Sequence, residues 1–254
     1  MINKKTNIFL FSLEMFGLLV LLIFSIMMSI ASIHNMNMLE DIKSFIASAQ
    51  FEETRNNTHI YFVESDELEE STIYIPEKQY LPPVLGKNGD IFLMPQSRMN
   101  YFPFFAEFMS YLFGGHAGVI TENGYFLVEA MGGSIEEGFV FEYQTDLYTE
   151  ERTVIGLRVN ATKEERAQAS QNALSLIGKP YNYLFILNTI GHYYCTDVCS
   201  RIYGREFGMN YQIDSNGFHV SLQDLFRSKD TYITFVKYKI GNQTYIYYLK
   251  NPNL

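Results

Sequence analysis

Tryptophan is absent, cysteine occurs twice, and basic residues are outnumbered by acidic ones, 19 to 28. Each shortage excludes something. Two cysteines cannot make a disulfide framework, and Cys195 and Cys199, four residues apart on one expected helix, are poorly placed to bridge. A formal charge of −9 leaves no basic stripe to neutralise phosphates, so nucleic acid is not an expected partner. The histidines, His34, His59, His116, His192 and His219, show no paired ligand spacing, so neither a metal nor a cofactor is expected. What is abundant is aromatic: 19 Tyr and 21 Phe suit a domain containing β-structure. At 254 residues the chain has material for one good-sized domain and an appendage.

Charge is also missing from one long stretch. Residues 8–33 carry a single charged side chain, Glu14, and 16–33 are almost wholly apolar. About 20 such residues cross a bilayer as a helix. Lys4 and Lys5 precede the span while Glu40 and Asp41 follow it, which predicts a cytoplasmic N-terminus and an extracytoplasmic remainder. A cleaved signal peptide is the rival, with Ser29-Ile30-Ala31 as a weak small-residue cleavage site. The length of the unbroken apolar run favours an uncleaved single-pass anchor in the cell membrane. Beyond it, Met38, Leu39, Ile42, Phe45, Ile46 and Ala49 recur at helical spacing. They predict a stalk helix, a dimerising segment or a strip lying against the domain. Oligomeric state stays open. The expected division is therefore a tip and anchor over 1–34, an amphipathic helix and linker over 35–84, and a domain over 85–254.

Within that domain Gly89-Asp90-Ile91-Phe92-Leu93 reads as a turn feeding a strand. A run containing Tyr101, Phe102, Phe104, Phe105, Tyr111 and Phe113 reads as a helix or an aromatic-lined loop, half of it core and half pocket lining. His116-Ala117-Gly118-Val119-Ile120 and residues 125–130 make two strands about the turn Glu122-Asn123-Gly124, where Asn-Gly suits strand twist. His116 and Glu129 then lie near the open end of a hairpin, within reach of each other if both face the same way. An imidazole and its orienting carboxylate need that geometry. The alternatives are a structural histidine beside glycines and a solvent-facing glutamate. Yet Glu129 sits between Val128 and Ala130, and a half-buried carboxylate needs a partner.

Thr162-Lys163-Glu164-Glu165 is a capping box opening a helix that stops at Gly178. From Val198 the apolar residues Val198, Cys199, Ile202 and Tyr203 recur at helical spacing, so Cys195 stands where a helix begins. A thiol there feels the positive end of the helix dipole, which favours the attacking thiolate. Cys195 is either that nucleophile or a core-filling residue; Cys199 reads as core. Ser221-Leu222-Gln223-Asp224 caps a short helix, and 232–239 with 244–249 read as a closing hairpin. The layout is an α+β domain, an antiparallel sheet with packed helices.

Gly89-Asp90-Ile91, His116-Ala117-Gly118-Val119, Val128-Glu129-Ala130, Gly178-Lys179-Pro180-Tyr181-Asn182, Tyr194-Cys195-Thr196-Asp197 and Ser221-Leu222-Gln223-Asp224-Leu225 occur in that order. The ordered set resembles the circularly permuted, YiiX-like branch of the NlpC-type papain-fold cysteine hydrolases, over about residues 85–236. In that branch the histidine strand precedes the nucleophile helix. The resemblance implies a permuted papain-like fold, with Cys195 as nucleophile, His116 as general base and Glu129 orienting the imidazole. It also implies an oxyanion site using the Cys195 backbone N–H. Thr196 stands where serine is commoner, and Cys199 where a non-thiol apolar residue is usual. An outward-facing tethered hydrolase of this kind implies cell-wall peptide as substrate. Two rivals remain: an acyl hydrolase or acyltransferase on lipid or acylated small substrates, since the fold also resembles the lecithin:retinol acyltransferase group, and a non-catalytic tethered binding module.

Overall fold

A computed structural model describes residues 4–95, 115–132, 138–144, 147–185, 190–213 and 219–253. The aromatic run from Tyr101 to Phe113 lies outside the described residues. The chain opens with one long helix, α1 (Lys4–Ala47). Two strands follow directly, β1 (Gln50–Arg55) and β2 (Thr58–Glu64). β3 (Ile73–Tyr74) and β4 (Val84–Leu85) form a small sheet of their own. Then come β5 (Ile91–Met94), β6 (His116–Thr121), β7 (Phe126–Met131), β8 (Phe139–Gln144) and β9 (Val154–Val159). The helices α2 (Lys163–Ser175), α3 (Cys195–Arg201) and α4 (Leu222–Arg227) precede the closing hairpin of β10 (Thr231–Ile240) and β11 (Gln243–Lys250).

The main sheet has the order β1-β2-β11-β10-β9-β5-β6-β7-β8. Neighbours are antiparallel except β2 and β11, which run parallel from Thr58↔Thr244 to Glu64↔Lys250. Side chains of alternating parity build two cores. Ile91, Leu93, Val119, Val128, Ile155 and Leu157 face the helices, packing with Ala169, Val198, Cys199, Ile202 and Leu222. Phe92, Ile120, Leu127, Val154, Phe235 and Ile246 face the other way, where Ile73 and Leu85 cover them. Every residue of β9 is buried, as expected of a central strand covered on both faces. Gly118 is needed for close approach, because a Cβ there would overlap the Phe92 ring of the neighbouring strand.

Both capping boxes form. Thr162 accepts the Glu165 N–H at 3.2 Å while Glu165 accepts the Thr162 N–H at 2.9 Å, and Ser221 and Asp224 do the same for α4. Gly178 takes a positive φ of 82°, which ends the α2 segment without strain. In the β6–β7 turn Glu122, Asn123 and Gly124 all have positive φ, the left-handed twist that Asn-Gly predicts.

Two features differ from the expected layout. The boundary at residue 85 does not divide the sheet, because β1 and β2 complete it through pairing with β11. That pairing joins residues 58–64 to 244–250, and no local pattern announces so distant a register. The amphipathic continuation of α1 is also settled among its three readings. Met38 is buried in the helix-side core, with Ile42, Phe45, Ile46 and Ala49 packed on it, so this end of α1 is a strip against the domain. Leu39, expected in the same stripe, faces outward. The rest of α1 is another matter. The helix Phe11–Ala47 is long and apolar enough to cross a membrane, and its apolar window is bare of protein; a signal sequence has the same properties.

Candidate active site

The site is assembled from two strands and one short helix. β6 begins at His116, and β7 returns with Val128 opposite Val119, which leaves Glu129 one residue beyond that pair. His116 Nε2 lies 2.6 Å from Glu129 Oε2. The carboxylate is sealed, at 1% exposure, while 16% of the histidine side chain reaches the surface. The β8 register sets Phe141 opposite Glu129, and Tyr143, two residues on, lies close enough to that carboxylate to feel its charge. Burial and the nearby carboxylate both push the Tyr143 hydroxyl upward.

The third component arrives from the helix side. Tyr194 is extended, with φ −111° and ψ 170°, and α3 starts at Cys195. Two contacts hold this start in place: Thr196 Oγ1 donates to the Val220 carbonyl at 2.6 Å, and the Val220 N–H donates to the Tyr194 hydroxyl at 2.7 Å. The Cys195 sulfur lies close enough to the His116 ring to raise its affinity for a proton. Glu129 occupies Nε2, which leaves Nδ1 as the ring's other nitrogen. Burial pulls the imidazole down, but the charge and bond of Glu129 and the nearby Cys195 outweigh it, pushing His116 up to about 10. At neutral pH the ring is an imidazolium held between a carboxylate and a sulfur.

Cys199 is a different kind of cysteine. It is fully buried, its thiol donates to the Cys195 carbonyl at 3.4 Å, and burial pushes it well above the ordinary thiol range. It packs the core beneath its neighbour, as expected. Two tyrosines join the site that sequence reasoning did not single out for it. Tyr143 lies beside the carboxylate, and Tyr181, buried, lies close enough to Cys195 for the sulfur to raise its hydroxyl further. For Tyr143 a usable signal existed in strand parity, had β8 been recognised. For Tyr181 it was the motif already quoted with Pro180 and Asn182.

Among the described residues no group of three or more His, Cys, Asp or Glu is placed to hold a metal ion. His116, Glu129 and Cys195 do come together, in the chain order histidine, glutamate, cysteine.

An α+β domain with a largely antiparallel sheet, a cysteine at a helix start and a histidine strand ahead of it in the chain is a papain-like fold in permuted order. The family model for permuted papain-like amidase enzymes, YaeF/YiiX, C92 family, matches residues 86–222, more than half of the chain. The chain belongs to that family, and is therefore of the cysteine amidase or peptidase class. Among solved structures it is similar to one described as metalloprotein YiiX from Escherichia coli O157:H7, at 18% identity and a TM-score of 0.38, over 58% of this chain and 96% of that one. No curated protein matches the chain.

Proposed function

We propose that the protein is a membrane-anchored cysteine amidase whose catalytic groups are Cys195, His116 and Glu129, acting outside the cytoplasm on cell-wall peptides. The observation that carries this reading is the His116 imidazole, held at Nε2 by a sealed carboxylate with the Cys195 sulfur close by. A cation beside a sulfur is the environment in which a thiolate persists and reacts.

In the proposed sequence the Cys195 thiolate attacks the amide carbonyl carbon, forming an S–C bond and an oxyanion. The Cys195 N–H is the proposed donor to that oxyanion, an effect worth about 3–4 kcal/mol in well-studied cases. His116 gives its Nδ1 proton to the amide nitrogen, the C–N bond breaks, and the amine leaves. Neutral His116 then takes a proton from water, whose oxygen attacks the thioester and expels the sulfur as thiolate. The cycle ends with the acid released and the imidazolium restored. Glu129 keeps the ring in one orientation throughout.

The anchor reading rests on the bare apolar surface of α1 and on Lys4 and Lys5 ahead of it, with Glu40 and Asp41 behind. Full-length protein in detergent, given cell-wall peptides, should release one new amino group per cut. Cys195→Ala should release none. If wild type and variant behave alike, the reading fails.

A further inference from the structure

Resting on the proposed catalytic role of Cys195, the position of the anchor relative to the cleft identifies where the substrate must be. The exposed apolar surface of α1 runs from Phe11 through Ile33, at 63% and 56% exposure, and thins out over Met36 and Leu39, at 60% and 49%. Two residues beyond Ile33, Asn35 Oδ1 accepts a hydrogen bond from Gln223 Nε2 at 2.6 Å, and Met38 is already in the domain core. At a rise of about 1.5 Å per residue, Asn35 is about 3 Å, and Met38 about 7.5 Å, beyond Ile33 along the helix axis. No stalk separates domain from bilayer. The domain takes hold of the helix from Asn35 on, while Met36 and Leu39 stay exposed on its outer side.

The gripping element is also the one that holds the nucleophile. Gln223 lies in the first turn of α4, three residues after Val220. Val220 takes the Thr196 hydroxyl on its carbonyl and gives its N–H to Tyr194, so it clasps the residues on both sides of Cys195. Three residues of chain span at most about 11 Å. The sulfur is thus tied to the membrane edge of α1 through one short segment. A second feature stands on the other flank of Cys195. Ahead of α3, Tyr181 pairs with Tyr193, and Leu184 and Ile190 are exposed at 73% and 93%.

We infer that the site takes an amide carried by a lipid that is itself anchored in the same bilayer, in preference to the same amide free in solution. Confining both partners to one surface replaces a bulk encounter by a local one at high effective concentration.

The test uses full-length protein in phosphatidylcholine–phosphatidylglycerol vesicles, with one fluorogenic peptide amide offered free or coupled to a dipalmitoyl phosphatidylethanolamine headgroup. The lipid-coupled form should be cleaved roughly tenfold faster or more at equal bulk concentration. Inserting five helical turns, about 18 residues or 27 Å, between Ile33 and His34 should erase that preference while leaving cleavage of the free form unchanged. A readout independent of turnover accompanies it: alkylation of Cys195 by a lipid-tethered iodoacetamide, which should be fast in the natural chain and slow in the lengthened one. Equal cleavage of both forms, or tethered alkylation indifferent to the insertion, overturns the inference. Fast tethered alkylation without cleavage of either amide sinks the catalytic reading and upholds the placement of the site at the bilayer.

Discussion

Asp90 and Glu129 are carboxylates sealed in the same sheet, yet their partners make them into different things. Asp90 meets Arg158 through two parallel bonds, 2.7 Å and 2.8 Å, with both side chains at 1% exposure or less. It also accepts the Lys87 N–H at 2.9 Å. That pair is closed: a planar fork matched to a carboxylate, with nothing left to exchange. Glu129 meets His116 through one bond at Nε2, and the histidine has a second ring nitrogen and a buried cysteine, Cys195, close by. Burial of charge is common to both regions and so does not mark a site. What marks it is a titratable ring with one valence secured and the other unspent.

The largest effect separating the two regions should come from Cys195→Ala, with amide hydrolysis falling about 10³-fold or more and thiol labelling lost. Cys199→Ala should leave both nearly intact, so equal losses from the two cysteines would defeat the assignment. Next, Asp90→Ala strands the Arg158 guanidinium in the core and should cost about 3–5 kcal/mol in denaturant unfolding of the full chain in detergent. Turnover per folded molecule should not change. Glu129→Gln should do the reverse, lowering turnover by about 10² through a loosened imidazole while costing less stability than the Asp90 variant. If it destabilises as much as Asp90→Ala and spares turnover, both pairs are structural.

The pairs also differ in their response to pH. His116 lies at about 10 in the folded chain, above its unfolded value of about 6.5. Its contribution to stability is therefore full below about pH 6.5, declines as pH rises through that window, and is gone above about 10. Arg158 is held up by Asp90 and does not titrate in that range. Unfolding midpoints measured from pH 6.5 to 10 should fall more steeply in the natural chain than in His116→Gln; identical slopes would remove the ion pair from the account. The smallest effect serves as reference: Thr162→Ala, a member of neither pair, should cost about 1 kcal/mol through its lost cap and leave turnover alone.

The legibility of these features followed the range of the interactions behind them. Capping boxes at Thr162 and Ser221, the Asn123-Gly124 turn and the bare apolar face of α1 each depend on neighbours within a few residues, and each was readable. The Cys195 helix was readable for the same reason. β1 and β2 were not, because their place in the sheet comes from a parallel register with residues 244–250. Tyr143 was missed with the unrecognised strand that carries it, and the docking of Met38 was one of three equal options until α4 was seen beside it.

The order and chemical type of the residues by themselves determined an α+β layout, an apolar N-terminal helix and a cysteine at a helix start, because periodicity, capping chemistry and composition act locally along the chain. The permuted hydrolase order and the joint roles of His116, Glu129 and Cys195 came from the resemblance of the ordered motifs to a known family. Only the tertiary structure decided that Glu129 holds Nε2 of His116, that Tyr143 lies beside that carboxylate, and that the apolar helix α1 is held at Asn35 by the segment that also clasps the start of α3. Those facts are distances between groups remote in sequence, and a distance of that kind exists only once the hydrophobic faces of sheet and helices have closed on one another.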